Sequence, residues 1–475
     1  MLRLMLRTNS SRKSYFLPVF LTALLSTPLA ATAEDAGSDS DGSSRNGDWL
    51  IGGFDTQSRW ISGGLLLGLG AYLATADTSD IRDLGDFTQF VPAVFGLTGS
   101  LLIGDREGLK QFAYAGGTTL VATHGLKQLV DKDRPDGSDD LSYPSGHTSA
   151  SVMGAAYVWR RYGSKWGAPA SVLAAYTGIS RINGQKHYAD DVISGAAIGL
   201  LSNLLWTTPI DDRVRISLFP TDGGAGVAFD YVPTSAGSQK TISAADTLPG
   251  HYFAWEIGLL DVARNFAAAP GSTGTSVDWR FDETNNPTAT GLVSIGWLLT
   301  PESRHGFYGV FSPFEVREGS QLTSNIDFGD TTFLSGSDVR SRYVANDYRV
   351  GYGYSAVNSS RWGVTLIGSI AAFDTLLELS DDSVSETVDE TIVRPMLGAR
   401  LQLSITERWH LFAGFSIWDD SEVSFRDTTI QAGYRLSNEW LVSFGYRNAA
   451  RQINTDELDN ELRIDQLSLG IFYFW

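Results

Sequence analysis

From about residue 251 to the C-terminus, apolar positions recur with a period of two. Leu397, Ala399, Leu401, Leu403 and Ile405 alternate with Gly398, Arg400, Gln402 and Ser404. After Thr406-Glu407-Arg408, the residues Trp409, Leu411, Ala413, Phe415 and Ile417 alternate with His410, Gly414 and Ser416. Ile430, Ala432, Tyr434 and Leu436, then Trp440, Val442, Phe444 and Tyr446, repeat the pattern opposite Gln431, Gly433, Arg435, Ser443, Gly445 and Arg447. Successive side chains of a strand point to opposite faces, so each segment has one apolar face and one small or polar face. A β-sandwich alternates in the same way. Three further features select a transmembrane barrel. Tight turns alternate with long acidic connections such as Leu379 to Glu390, Trp and Tyr gather at strand ends, and the last strand carries Leu467, Leu469, Ile471, Tyr473 and Trp475 on one face. Short turns near Pro301-Glu302-Ser303, Asn358-Ser359-Ser360, Thr406-Glu407-Arg408 and Ser437-Asn438-Glu439 predict about ten antiparallel strands with both barrel ends in the periplasm. A barrel this narrow is expected to have a lumen filled by side chains.

Residues 49–210 follow a different period. Apolar segments of helical length run at about 61–76, 88–104, 111–130, 147–162, 169–182 and 190–206, rich in Gly and Ala. They predict an all-α bundle of about six helices. None is a clean run of the ~18 apolar residues of a membrane span, so no inner-membrane span is predicted. Residues 1–33 read as a secretory signal peptide, with Arg3, Arg7, Arg12 and Lys13 before an apolar stretch and Ala31-Thr32-Ala33 at its end. Residues 34–48 read as a flexible linker and 211–250 as a connecting segment and linker. The expected fold class is therefore multidomain: a helical domain over 49–210, then an antiparallel transmembrane β-barrel over 251–475.

Composition narrows the functional classes. With 36 basic and 54 acidic residues the net charge is −18, which argues against a nucleic-acid partner. The chain has no cysteine, which removes disulfides, thiol catalysis and Cys-ligated metals. In the barrel, His251, His305 and His410 belong to no Ser/His or Asp/His cluster, and Asp419-Asp420 reads as a solvated loop pair.

Chemistry concentrates in the helical half. Three motifs lie in order there: Lys127-x6-Arg134-Pro135, Pro144-Ser145-Gly146-His147 and Ser180-Arg181-x5-His187-x3-Asp191. Lys127, Arg134 and Arg181 bring three cations to one anion, and the guanidiniums can bind oxygens bidentately. Ser145 and Gly146 precede a predicted helix whose N-terminal N–H groups and dipole favour a phosphate. His187 and Asp191 stand at i and i+4, where a carboxylate can hold an imidazole in one tautomer. This division of labour makes His187 the nucleophile at phosphorus and His147 the acid and then the base. The three cations take the role of a metal, so neither a metal nor another cofactor is expected. Between the first two motifs, Asp136, Asp139 and Asp140 form an acidic loop read as solvated.

The eleven motif positions, over roughly residues 60–207, resemble the type 2 phosphatidic acid phosphatase superfamily of acid phosphatases, lipid phosphate phosphatases and vanadium haloperoxidases. The resemblance implies a metal-independent phosphoric monoester hydrolase. Its catalytic residues would be His187, His147 and Asp191, and Lys127, Arg134, Ser145, Gly146 and Arg181 would bind phosphate. The fused barrel departs from the better-known members. The terminal aromatic resembles the recognition signal of outer-membrane proteins and implies the barrel-assembly machinery as a partner during biogenesis. The expected location is the outer membrane of a Gram-negative bacterium, with the phosphatase facing the periplasm. From there it would act on phosphatidic acid, phosphatidylglycerol phosphate or small phosphate esters. Lipid A or undecaprenyl diphosphate is the alternative substrate. A vanadate-dependent peroxidase, and a transport or surface-binding barrel with a non-catalytic helical domain, are the competing classes.

Overall fold

The computed structural model describes residues 56–210, 214–221, 224–231, 251–268, 277–278, 288–299, 303–359, 361–456 and 458–474. The signal peptide, the first linker and most of the 211–250 connection lie outside them, as do parts of the turns near 301–303 and 358–360.

Among the described residues seven helices precede the strands: α1 (Thr56–Thr75), α2 (Thr78–Thr88), α3 (Val91–Ile103), α4 (Arg106–Leu129), α5 (Gly146–Tyr162), α6 (Ser164–Asn183) and α7 (Ala189–Trp206). The sequence pattern passes over α2 because Asp80, Arg82, Asp83 and Asp86 interrupt its apolar positions. Together α2 and α3 make one stretch, Thr78–Ile103, that is long and apolar enough to cross a membrane by length and composition. Side-chain caps set the helix starts. Asp105 accepts the Gly108 N–H at the start of α4, Ser145 accepts that of Thr148 at α5, and Asp191 accepts that of Tyr188 at α7. Asp105 also takes Arg161 from two sides, at 2.7 and 2.6 Å, and the Tyr162 hydroxyl at 3.0 Å. This buried clamp joins the α3–α4 corner to the end of α5, away from the three motifs.

A hairpin, β1 (Val214–Thr221) and β2 (Gly224–Tyr231), leads into the barrel. The barrel strands are β3 (Tyr252–Ala268), β5 (Thr288–Leu298), β6 (His305–Ser312), β10 (Asp338–Asn358), β11 (Trp362–Ser380), β12 (Ser385–Ser404), β13 (Trp409–Asp419), β14 (Val423–Arg435), β15 (Trp440–Asn454) and β16 (Asp459–Phe474). Each pairs antiparallel with the next, β16 pairs with β3, and the ring of ten closes. The short β4 (Val277–Asp278) pairs with β3, β7 (Glu315–Gln321) continues the line of β6 along β10, and β8 (Ile326–Phe328) pairs with β9 (Thr331–Phe333).

The period-two reading matches the two faces. Outward positions such as Leu401, Phe415, Ile430, Phe444 and Leu467 are exposed apolar side chains, as a lipid-facing band requires. This band occupies the half of the barrel next to the short turns. Toward the other end the outward positions become polar, as at Asp374 and Glu378 on β11 and Thr387, Asp389 and Thr391 on β12. The stretch Leu379–Glu390, expected as a long loop, is instead two strands running past the band to a tight turn at 381–384. Inward side chains fill the lumen. Asp427 binds Arg349 at 2.6 Å and Arg447 at 3.0 Å, and Arg451 binds Asp347 at 3.1 Å. Phe412, Leu441, Phe472 and Phe474 close the short-turn end.

The helical bundle lies beside the barrel. Ile193, Ala197 and Leu204 of α7 share a core with Phe253, Trp255, Val293, Phe311, Ile471 and Tyr473, all outward on the barrel wall. Gly291 on β5 permits this approach: a Cβ there would come 2.8 Å from the Ile193 Cβ and 2.9 Å from the Asp190 carbonyl. Gly291→Val is therefore expected to unseat α7 at a cost of ~1–3 kcal/mol, the usual range for overpacking. The measurement is heat-modified electrophoretic mobility for the barrel beside circular dichroism melting for the helices. The helical transition should fall while the barrel transition stays.

Candidate active site

The three motifs converge at one end of the bundle, where α4 ends and α5 and α7 begin. The loop between α4 and α5 and the short turn before α7 face each other there. A buried ion cluster joins them: Lys132 Nζ lies 2.7 Å from Asp190 and 3.0 Å from Asp191. Burial alone would lower the Lys132 pKa, but the two carboxylates outweigh it and hold it above its ordinary value. The Ser142 hydroxyl donates to Asp191 at 2.5 Å.

His187 is almost fully buried. Its Nδ1 lies 2.8 Å from the Ser142 carbonyl oxygen. A carbonyl can only accept, so Nδ1 carries the proton and Nε2 presents its lone pair. Nε2 lies 3.3 Å from a guanidinium nitrogen of Arg134. Asp191 Oδ2 is 3.7 Å from Nδ1. The carboxylate thus reaches the imidazole chiefly through Ser142, rather than by the direct contact its i, i+4 spacing suggests. Burial pushes the His187 pKa below its ordinary value, with Asp191 opposing and Arg134 and Lys127 reinforcing the shift.

The cations surround the same space. Arg134 is held by Asp139 at 2.5 Å and by the Lys186 carbonyl at 3.2 Å. Lys127 Nζ donates to the carbonyls of Leu141 and Ser142. Arg181 is buried in α6, with its guanidinium on the Arg82 carbonyl at 2.6 Å and on Ser180. Ser145 sits at the start of α5, but its hydroxyl is buried and accepts from Thr148. It shapes the helix start, and the first-turn N–H groups at Gly146 and His147, which have no intrahelical acceptor, remain as anion donors. A Cβ on Gly146 would lie 4.0 Å from the Lys127 side chain, so the helix start and that cation adjoin.

Asp86, absent from the sequence reading, lies among these groups. Its Oδ1 is 2.5 Å from Arg181 and 3.2 Å from His147 Nε2. Gly85 makes this possible, because a Cβ there would overlap the Ser180 hydroxyl at 1.9 Å. The Asp86 carboxylate therefore stands where an anion bridging Arg181 and His147 would bind. Burial lowers the His147 pKa to about 4, helped by Arg181 and opposed by Asp86. Lys132, Ser142 and Asp86 were all missed. Nothing in their local sequence marks them, because each acts through a contact made only in the fold. The acidic loop is more structured than expected: Asp139 pairs with Arg134 and Asp136 with Lys186.

A family model described as the PAP2 superfamily matches residues 108–215. A Lipid A 1-phosphatase of Porphyromonas gingivalis is 39% identical over 106 residues, which is 22% of this chain and 22% of that protein. A Lipid A 1-phosphatase of Helicobacter pylori is 30% identical over 135 residues, 26% of this chain and 69% of that one. A Lipid A 4'-phosphatase of Helicobacter pylori is 29% identical over 169 residues, covering 32% and 84%. The chain thus spans about a fifth of the Porphyromonas protein and more than two thirds of the Helicobacter ones. Among solved structures, Aquifex aeolicus LpxE is 21% identical with a TM-score of 0.23, over 31% of this chain and 90% of that one. The outer membrane protease OmpT of Escherichia coli is 12% identical with a TM-score of 0.33, over 49% and 100%. A helical bundle carrying convergent cations and two imidazoles is the architecture of a phosphate-handling enzyme domain. The chain belongs to the PAP2 superfamily.

Asp86→Asn is expected to free Arg181 and His147 for an incoming anion and to tighten vanadate inhibition by about tenfold, or ~1.4 kcal/mol. Inhibition curves of the two proteins measure this. Equal constants would mean that Asp86 does not compete for the anion position.

Proposed function

We propose that the protein is an outer-membrane lipid phosphate phosphatase that works through a phosphohistidine on His187. The observation that carries this reading is the His187 imidazole, locked by the Ser142 carbonyl with Nε2 turned toward Arg134. In the first step Nε2 attacks phosphorus and the ester P–O bond breaks. His147, protonated, gives its proton to the leaving oxygen. In the second step water attacks the phosphohistidine, His147 takes its proton, and inorganic phosphate leaves. Lys127, Arg134, Arg181 and the start of α5 stabilise the charge on the three equatorial oxygens. Asp191, Ser142 and Lys132 position the nucleophile. The lipid A phosphatase names among the relatives support a lipid phosphate as substrate. The transport alternative is less supported, because ion pairs and aromatic rings cross the barrel lumen.

His187→Ala is expected to abolish phosphate release from monoester substrates. The wild type, quenched in alkaline denaturant during turnover of a 32P-labelled monoester, should carry label on His187 that survives base and is lost in acid. Undiminished release by the variant would overturn the mechanism.

The pH dependence follows from His147. Its proton leaves the empty site as pH rises through about 4. A bound phosphate dianion beside the imidazole favours the charged form and retains the proton to higher pH. The alkaline limb of kcat should therefore lie above that of kcat/KM. Coincident limbs in the two profiles would remove His147 from the acid role.

A further inference from the structure

The site and the barrel's short turns lie at opposite ends of the molecule. Helix α7 starts at the site and ends near the short turns, with Leu204 in the cluster that contains Phe253 and Tyr473 and packs against Trp440. Its 18 residues span about 27 Å. The start of α7 meets the barrel toward the other end. Asp190 and Ile193 approach Gly291, and Ser194 approaches the Thr290 carbonyl. Above them, Arg317 on β7 donates to the Pro135 carbonyl and stacks over the Tyr188 ring at 5.7 Å. β7 lies beyond Ser312, on the part of the wall that faces away from the short turns.

The outside of the bundle repeats the arrangement of the barrel. Exposed apolar side chains run along its helices, among them Leu67 on α1, Val94 and Leu101 on α3 and Leu120 and Val121 on α4. Charged residues collect at the two ends, Asp80, Arg82 and Asp83 at the site end and Arg106, Glu107 and Lys110 at the other. An exposed apolar belt between two polar ends is what a membrane-embedded surface looks like. An apolar seam between bundle and barrel begins at Thr148 and Val192, beside His147 and Asp191, and runs toward Leu204, Phe253 and Trp440.

Outer-membrane barrels keep short turns in the periplasm and longer connections outside. We infer that the active site opens at the extracellular end, level with the headgroups of the outer leaflet, and takes a phosphorylated lipid of that leaflet whose acyl chains descend into the bundle–barrel seam. The inference rests on the phosphatase reading for its chemistry and on the side-by-side packing for its geometry. It departs from the expected periplasm-facing phosphatase, which followed from the periplasmic N-terminus of the barrel. A lipid of the periplasmic leaflet would present its phosphate at the Leu204 end of α7, a helix length from His187. In the outer leaflet of a Gram-negative cell, the leaflet that holds lipopolysaccharide, phosphate and chains are oriented as the site and seam require.

The test reads sidedness alone. The chain has no cysteine, so single-Cys variants of the full-length protein label without background. Ser138→Cys and, as a second position at the site end, Ser79→Cys are compared with Lys110→Cys at the far end of the bundle. Ser383→Cys in the turn at 381–384 and Glu407→Cys in the turn at 405–408 mark the two barrel ends. Intact cells are treated with a PEG-maleimide too large for porins, then labelled again after permeabilisation. Ser138→Cys and Ser79→Cys should shift completely in intact cells together with Ser383→Cys. Lys110→Cys and Glu407→Cys should shift only after permeabilisation. Site-end cysteines that label with Glu407→Cys instead would overturn the inference. Phosphate release from a soluble monoester, measured on the same variants in detergent, tests the phosphatase reading separately, so either can fail alone.

Discussion

One buried ion cluster holds the site together. Lys132 lies between Asp190 and Asp191 with little access to water, and removing one member of such a cluster leaves an unpaired buried charge at a cost of ~3–5 kcal/mol. The cluster ties the α4–α5 loop to the start of α7. That loop carries Arg134 and the Ser142 carbonyl, and the turn before α7 carries His187. The His187 imidazole, its tautomer and the Arg134 guanidinium are therefore positioned by the same contact. The start of α7 is also the part of the bundle that meets Gly291, so the cluster fixes the level of the chemistry on the barrel wall.

Around this centre the electrostatics are nearly balanced. Asp139 holds Arg134 and Asp86 holds Arg181, so each of the two guanidiniums faces a carboxylate. A dianionic phosphate would offer more charge and more acceptor oxygens than either carboxylate at this position. Asp86 is half exposed and sits on the short α2, while its partners Arg181 and His147 sit on longer helices.

The barrel contributes position. Its lumen is occupied by ion pairs and aromatic rings, and its outer wall supplies the surface on which α7 rests. The side-by-side contact sets the level of the site along the barrel wall, and no single motif encodes it.

Much of this was legible in the residues. Alternation gave the barrel and its inward and outward faces, because a strand's side-chain period is two whatever surrounds it. The motifs marked Lys127, Arg134, His147, Arg181, His187 and Asp191 as one site, because phosphate chemistry demands cations and imidazoles in quantity. Local helix signals placed Ser145 at a helix start. What the residues could not disclose is held by contacts between distant segments. Asp86 reaches Arg181 across 95 positions, and Lys132 reaches Asp191 across 59. The domain's place beside the barrel depends on Gly291 meeting Ile193. Side-chain periodicity and chemical type are properties of a segment and survive in the sequence. Tautomer, the carboxylate partners of the guanidiniums and the seating of the bundle on the barrel wall are properties of how segments pack, and only the tertiary structure decides them.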